Sequence, residues 1–184
     1  MARGIIITGS SGSGKTTLGQ EVANQLGYEY FDIDDYIYRF DVEVPYTVMY
    51  PREERISRLM GDISKFPHFV MAGSMNSFNA PFVPLFDLAV YHTAPAEIRA
   101  ERYQSRAIAR WGDRVLPGGD MYEINCDGIL MVHQYDVPGA KYEKQSMHEQ
   151  WLATLPCPVL RTDGTLPVAE NATRIVAYYK TCSQ

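Results

Sequence analysis

The stretch Gly9-Ser10-Ser11-Gly12-Ser13-Gly14-Lys15-Thr16 satisfies the pattern G-x-x-x-x-G-K-S/T in full. Its chemistry is the gripping of a polyphosphate. Glycines let a tight loop turn its backbone N–H groups inward around an anion, and a helix starting behind the loop aims its positive end at the same point. Lys15 is then placed to reach the β- and γ-phosphates and the Thr16 hydroxyl to ligate Mg²⁺, with Thr17 closing the nucleotide-binding stretch. The competing reading is a chance glycine–serine turn; the apolar run before it and the helical pattern after it argue against that. A Rossmann loop is ruled out, because Lys15 follows the last glycine and G-x-G-x-x-G is not matched.

Two further groups of residues carry chemistry. Phe31-Asp32-Ile33-Asp34-Asp35 puts acids at the carboxyl end of a predicted strand, the edge where open α/β sheets bind ligands. Period-two geometry sends Asp32 and Asp34 to the same side. Asp32 can then share the Mg²⁺ site with Thr16, and Asp34 can orient or deprotonate an acceptor hydroxyl; the alternative is a helix cap or a solvated turn. The second group is Arg99, Arg102, Arg106, Arg110 and Arg114, spaced by three, four, four and four residues. At about 100° per residue they share one helix face, with Glu97 and Glu101 opposite. Only Asp113, beside Arg110, offers them an acid nearby, so an anion such as a triphosphate is expected to face the stripe. The alternative is a solvated basic face. Arg106 and Arg110 are the nucleotide-side candidates, and Arg110 and Arg114 the candidates for stabilising a phosphoryl group in transfer.

These groups need a frame. Gly4-Ile5-Ile6-Ile7-Thr8 is unalternating and β-branched, as in a strand buried on both faces. Helical patterns are expected over 15–26 (stopped by Gly27), from Pro51 onward, over 95–110, 142–155 and 168–181. Further strands are expected at 28–32, 69–72, 88–91 and 158–160. Strands interleaved with helices imply right-handed crossovers and a parallel sheet covered on both faces. Residues 111–139 hold five glycines and two prolines and read mostly as loop, a candidate lid over bound nucleotide.

The chain's 184 residues, 46% hydrophobic and 21% charged, fit one domain, 1–184, and its charge of −5 argues against general nucleic-acid binding. Cys126, Cys157 and Cys182 are odd in number and far apart, reading as reduced thiols in a cytoplasmic protein. No apolar run suits a signal peptide or a membrane span. His68, His92, His133 and His148 show no metal spacing.

The loop identifies a nucleotide site, not a reaction. A GTPase switch needs an N-K-x-D motif, which is absent, and the D-x-x-G at Asp136-Val137-Pro138-Gly139 lies too far downstream to serve. A motor or transporter ATPase ends an apolar strand in acids, where this chain has Met71-Ala72-Gly73-Ser74.

With these residues in place, the chain resembles the nucleoside-monophosphate-kinase-like P-loop kinases, the group of adenylate, shikimate and gluconate kinases. The resemblance lies in residues 9–16, in Asp32-Ile33-Asp34, in the arginine helix running into the lid, and in Asp163-Gly164-Thr165-Leu166-Pro167. It implies a three-layer α/β/α fold with a five-stranded parallel sheet of order 2-3-1-4-5. It also implies ATP as donor, Mg²⁺ as cofactor, and a loop containing Asp163, Gly164 and Thr165 lying against the adenine. The shikimate branch has a glycine triplet after its third strand, where Ala72-Gly73-Ser74-Met75-Asn76 keeps one glycine. Asn76 and Ser77 are candidates for hydrogen-bonding an acceptor. Tyr28, Tyr30, Phe31, Tyr36, Tyr38, Phe40, Tyr46 and Tyr50 suit a base or sugar ring, or pack a small flap. Arg39, Arg52, Arg55 and Arg58 suit an acidic acceptor, or decorate a surface helix. The expected function is a cytoplasmic, Mg·ATP-dependent kinase acting on a small molecule with a hydroxyl or phosphate acceptor. The alternative is an ATP-binding regulator or slow ATPase without such an acceptor.

Overall fold

The computed structural model describes residues 2–75 and 77–182. The isoleucine run forms β1 (Arg3–Thr8), with Ile5, Ile6 and Ile7 fully buried. Burying each is worth roughly 1.5–3 kcal/mol, which suits a strand with no exposed face. β2 (Glu29–Asp32), β3 (His68–Ala72), β4 (Phe86–Thr93) and β5 (Val159–Asp163) join it in an all-parallel sheet of order β2-β3-β1-β4-β5. The register sets Ile5 against Val70 on one side and Leu88 on the other. β1 is therefore central: the chain leaves it for β2, returns beside it as β3 and then crosses to β4 on its other side, which opens a crevice at the carboxyl edge.

Alternating residues of β1 feed two cores. Ile5 and Ile7 pack with Leu18 and Val22 of α1 (Lys15–Leu26) and with Ala172, Ile175 and Tyr179 of α7 (Val168–Cys182). Ile6 packs on the other face with Phe31, Phe69 and Met71, and with Leu59 and Ile63 of α3 (Arg52–Ile63). Leu152 of α6 (Gln145–Ala153) closes that layer. α1 stops at Gly27, as its sequence predicts. No helix among the described residues is long and apolar enough to cross a membrane.

Two expectations need correction. The chain does not continue as strand through the paired acids: Ile33 has φ −65° and ψ −29°, and a short helix, α2 (Asp34–Ile37), starts there. Period-two geometry therefore does not explain how Asp32 and Asp34 are arranged. The region 111–139 is also not mostly loop. After α4 (Ala96–Trp111) come a 3-10 turn (Gly112–Val115) and then α5 (Tyr122–Gln134). The inward positions of α5 are Asn125, Gly128 and Val132, so it lacks the apolar stripe that identifies a helix. A Cβ at Gly128 would lie 2.0 Å from the Tyr103 hydroxyl, so α4 packs where this glycine leaves room.

Candidate active site

The loop of residues 9–16 joins β1 to α1 at the carboxyl edge of the sheet. Its glycines answer steric demands. Gly9 has φ 145° and a Cβ there would sit 2.1 Å from the His92 carbonyl oxygen; Gly12 has φ 78° and a Cβ would meet the Arg99 carbonyl oxygen at 2.2 Å. No L side chain fits either place. Lys15 Nζ donates to the Ser10 carbonyl oxygen at 2.7 Å. Burial of the ammonium lowers its pKa to about 8, against the opposing pull of Asp34.

Thr16 Oγ1 donates to Asp32 Oδ2 at 3.3 Å, and the Tyr30 hydroxyl donates to the same oxygen at 3.4 Å. Asp32 Oδ1 accepts from the Asp34 backbone N–H at 3.0 Å, so Asp32 ties the start of α2 to the phosphate loop. Asp34 meets solvent yet is crowded by protein atoms. That desolvation, reinforced by the Asp32 charge and opposed by Lys15 and Arg106, raises its pKa above the ordinary carboxylate range. Thr16 and Asp32 offer the hard oxygen donors that Mg²⁺ takes, few enough to leave room for phosphate oxygens and water.

Beside the loop lies a cavity of about 340 Å³. Thr17, His92, Arg102, Arg106 and Gly164 are among its lining residues. Arg102 Nη1 donates to the carbonyl oxygens of Ser13 (3.3 Å) and Gly164 (3.0 Å), joining the phosphate loop to the loop after β5. Asp163 folds that loop: its Oδ1 accepts from the Thr165 N–H and hydroxyl, both at 2.8 Å. Of Asp163, Gly164 and Thr165, only Gly164 lines the cavity.

The arginine stripe divides. Arg99 is 1% exposed and turns away from the cleft into a bidentate pair with Asp136 (2.9 and 3.0 Å), with Nη2 also donating to the Val132 carbonyl oxygen. Asp136, which the sequence offers as a stray D-x-x-G, is thus the anchor between α4 and the end of α5. Arg114 pairs with Asp120 at 2.6 Å and donates to the Glu43 carbonyl oxygen. Arg110 donates to the Tyr46 hydroxyl at 2.9 Å, and not to Asp113. Arg102 and Arg106 therefore line the cavity beside the loop, while Arg110 and Arg114 contact the flap of residues 38–50.

Across the cleft, the Arg58 guanidinium lies 4.0 Å from the centre of the Tyr50 ring, and its Nη1 is buried without a hydrogen-bond partner. Arg52 donates to the Ser77 carbonyl oxygen, Arg55 to that of Tyr50, and Arg39 pairs with Asp41. Asn76 lies outside the described residues. One network has no signature in the sequence. Ser74 Oγ lies 3.0 Å from His148 Nε2, His148 Nδ1 lies 2.6 Å from the Tyr135 hydroxyl, and that hydroxyl lies 2.8 Å from that of Tyr91. Burial lowers the His148 pKa to about 4, so the ring is neutral at neutral pH. Its members stand 74, 13 and 44 residues apart along the chain, and only folding brings them together.

Comparison with known proteins agrees with this geometry. A family model described as shikimate kinase matches residues 11–44, which hold the phosphate loop from Ser11 onward and the paired acids. The uncharacterized protein YqaC of Bacillus subtilis (strain 168) is 32% identical over 178 residues, covering 97% of this chain and 98% of that protein. Among solved structures, shikimate kinase from Bacteroides thetaiotaomicron superposes with a TM-score of 0.59 at 19% identity, covering 97% of this chain and 98% of that one. A gluconokinase from Sinorhizobium meliloti 1021 does so with a TM-score of 0.52 at 14% identity, over 97% and 92% of the respective chains. At these identities the two structures speak for a shared fold.

Proposed function

We propose that this chain, which belongs to one family with YqaC, is a P-loop kinase of the nucleoside-monophosphate-kinase-like group that transfers the γ-phosphoryl group of ATP to a small molecule. The observation that supports this best is the meeting of Lys15, Thr16, Asp32 and Asp34 at one edge of the sheet. Holding nucleotide asks only for the loop and a Mg²⁺ ligand, and the second, crowded carboxylate suits a proton acceptor.

In this reading the inward N–H groups and Lys15 hold the β- and γ-phosphates, while Gly164, Arg102 and Arg106 border the nucleoside side. Thr16 and Asp32 would hold Mg²⁺, which would supply positive charge against the phosphate oxygens. The acceptor lies across from the phosphates, over Asp34. As its oxygen bonds to the γ-phosphorus and the bond to the leaving ADP oxygen breaks, the hydroxyl proton passes to Asp34. A carboxylate with a raised pKa takes that proton more readily than an ordinary one. Arg58, with its unmatched donor, and the tyrosines of the flap border the acceptor side, and residues 111–139 act as the lid. The three cysteines are free, which fits a reducing, cytoplasmic setting.

The test is transfer of labelled phosphate from Mg·ATP across a panel of sugars, sugar acids, cyclic hydroxy acids and nucleoside monophosphates. One labelled compound is expected. Tight ATP binding with no labelled product would leave a nucleotide-binding regulator instead.

A further inference from the structure

Tyr46 is the one described residue other than glycine with a positive φ, 66°. A bulky side chain adopts that conformation only where its surroundings hold it, and such outliers gather at functional sites. Here the surroundings come from two separate parts of the chain. From the flap, the Tyr38 and Phe40 rings each lie 5.2 Å from the Tyr46 ring. From the end of α4, Trp111 stands 6.5 Å away, edge-on. The Tyr46 hydroxyl accepts a hydrogen bond from Arg110 at 2.9 Å.

Arg110 is exposed, and aromatic rings border its guanidinium. Its guanidinium lies 4.9 Å from the centre of the Trp111 ring and 5.6 Å from that of Phe40. No carboxylate among the described residues pairs with it, unlike Arg99 and Arg114. The charge is held by the Tyr46 hydroxyl and the rings, with the Asp35 carboxylate near enough to feel it. The Tyr46 hydroxyl also feels the charges of Arg110, Asp34, Arg106 and Asp32, so the clasp stands within electrostatic reach of the paired acids.

We propose that Tyr46 is the positioning residue for Arg110, its hydroxyl holding the guanidinium at the cleft mouth so that the charge acts on the γ-phosphoryl group. One flap residue thereby sets an arginine that arrives on α4. The proposal rests on the kinase reading above. It differs from a packing role for Tyr46 in a measurable way, because the γ-phosphoryl group is present in AMP-PNP and absent from ADP.

The experiment is calorimetric titration of the full chain with Mg·AMP-PNP and Mg·ADP, using wild type, Tyr46→Phe, Arg110→Ala and the double variant. Tyr46→Phe keeps the ring and its neighbours and removes only the hydroxyl. Each single variant is expected to weaken AMP-PNP binding about tenfold, the low end for a charged hydrogen bond, and to leave ADP binding unchanged. The double variant is expected to lose no more than either single one, because the two residues act as a unit. Losses that multiply in the double variant, equal weakening of both nucleotides, or no change in Tyr46→Phe would each overturn the assignment. A wild-type chain that binds neither nucleotide would overturn the kinase reading and this assignment with it. Normal wild-type binding with an unaffected Tyr46→Phe would overturn the assignment alone.

Discussion

At the scale of single residues, Lys15 and Asp34 divide the work, and their substitutions should separate binding from transfer. Lys15→Ala is expected to weaken Mg·ATP binding by about 10–100-fold while the circular dichroism spectrum stays that of the wild type. Asp34→Asn is expected to bind ATP normally and lose transfer by at least about 100-fold, measured as labelled product per enzyme. The Lys15 pKa of about 8 adds a pH signature. Phosphate binding favours the charged amine, so affinity for AMP-PNP is expected to fall about tenfold from pH 7 to pH 9 by calorimetry, and Lys15→Arg should flatten the fall. The loop residues could be found by reading along the chain, since their function depends on local spacing alone. Asp32 and Asp34 could be found as a pair but not placed. Asp32 joins them by accepting the Asp34 N–H as the backbone turns helical, a contact that strand periodicity does not anticipate. Tyr46 was one aromatic among eight in its region, and nothing local marks the one whose hydroxyl meets an arginine 64 residues away.

At the scale of elements, α4 is unusual in that its one buried residue is an arginine. Arg99 replaces the apolar seam by which most helices dock, and Asp136 is what makes its burial tolerable. Removing one partner of such a pair strands a charge. Asp136→Ala is therefore expected to cost about 3 kcal/mol in urea denaturation, and Arg99→Met less, because it removes the buried charge itself. A larger loss for Arg99→Met would contradict this account of α4. The same substitution of polar for apolar contacts explains why α5 was hard to read. Its inward face is an asparagine, a glycine and a valine, and Gly128 marks where Tyr103 crosses. Glycines and prolines around it argue locally for loop, whereas the contacts that make it a helix are tertiary. The arginine spacing was visible as a stripe, but the partners that divide it, Asp136, Asp120 and Tyr46, lie on other segments.

At the scale of the whole molecule, the parallel sheet follows from the alternating elements and its strand order from the family resemblance, and β1 at its centre carries the phosphate loop to the crevice. Two buried histidines near that crevice tie overall stability to pH. Burial holds His92 and His148 near pKa 4, below the ordinary 6.5. Well above pH 6.5 both are neutral in the folded and the unfolded chain. As pH falls from 6.5 toward 4, the unfolded chain takes up protons that the folded chain refuses, so stability is lost, by up to roughly 3 kcal/mol per histidine. Thermal melts between pH 7 and 4.5 should show this decline, with a shallower slope in His148→Gln; equal slopes would remove His148 from the effect. The chain has two tryptophans, set in contrasting places. Trp151 packs against the core on one face of the sheet, whereas Trp111 lies beneath the Arg110 guanidinium at the joint between flap and helix. Indole emission responds to a cation held over the ring. The protein thus carries its own optical gauge of that joint, and replacing Trp151 with phenylalanine would leave a single indole whose colour and brightness, excited apart from the tyrosines, follow the clasp as it forms and parts.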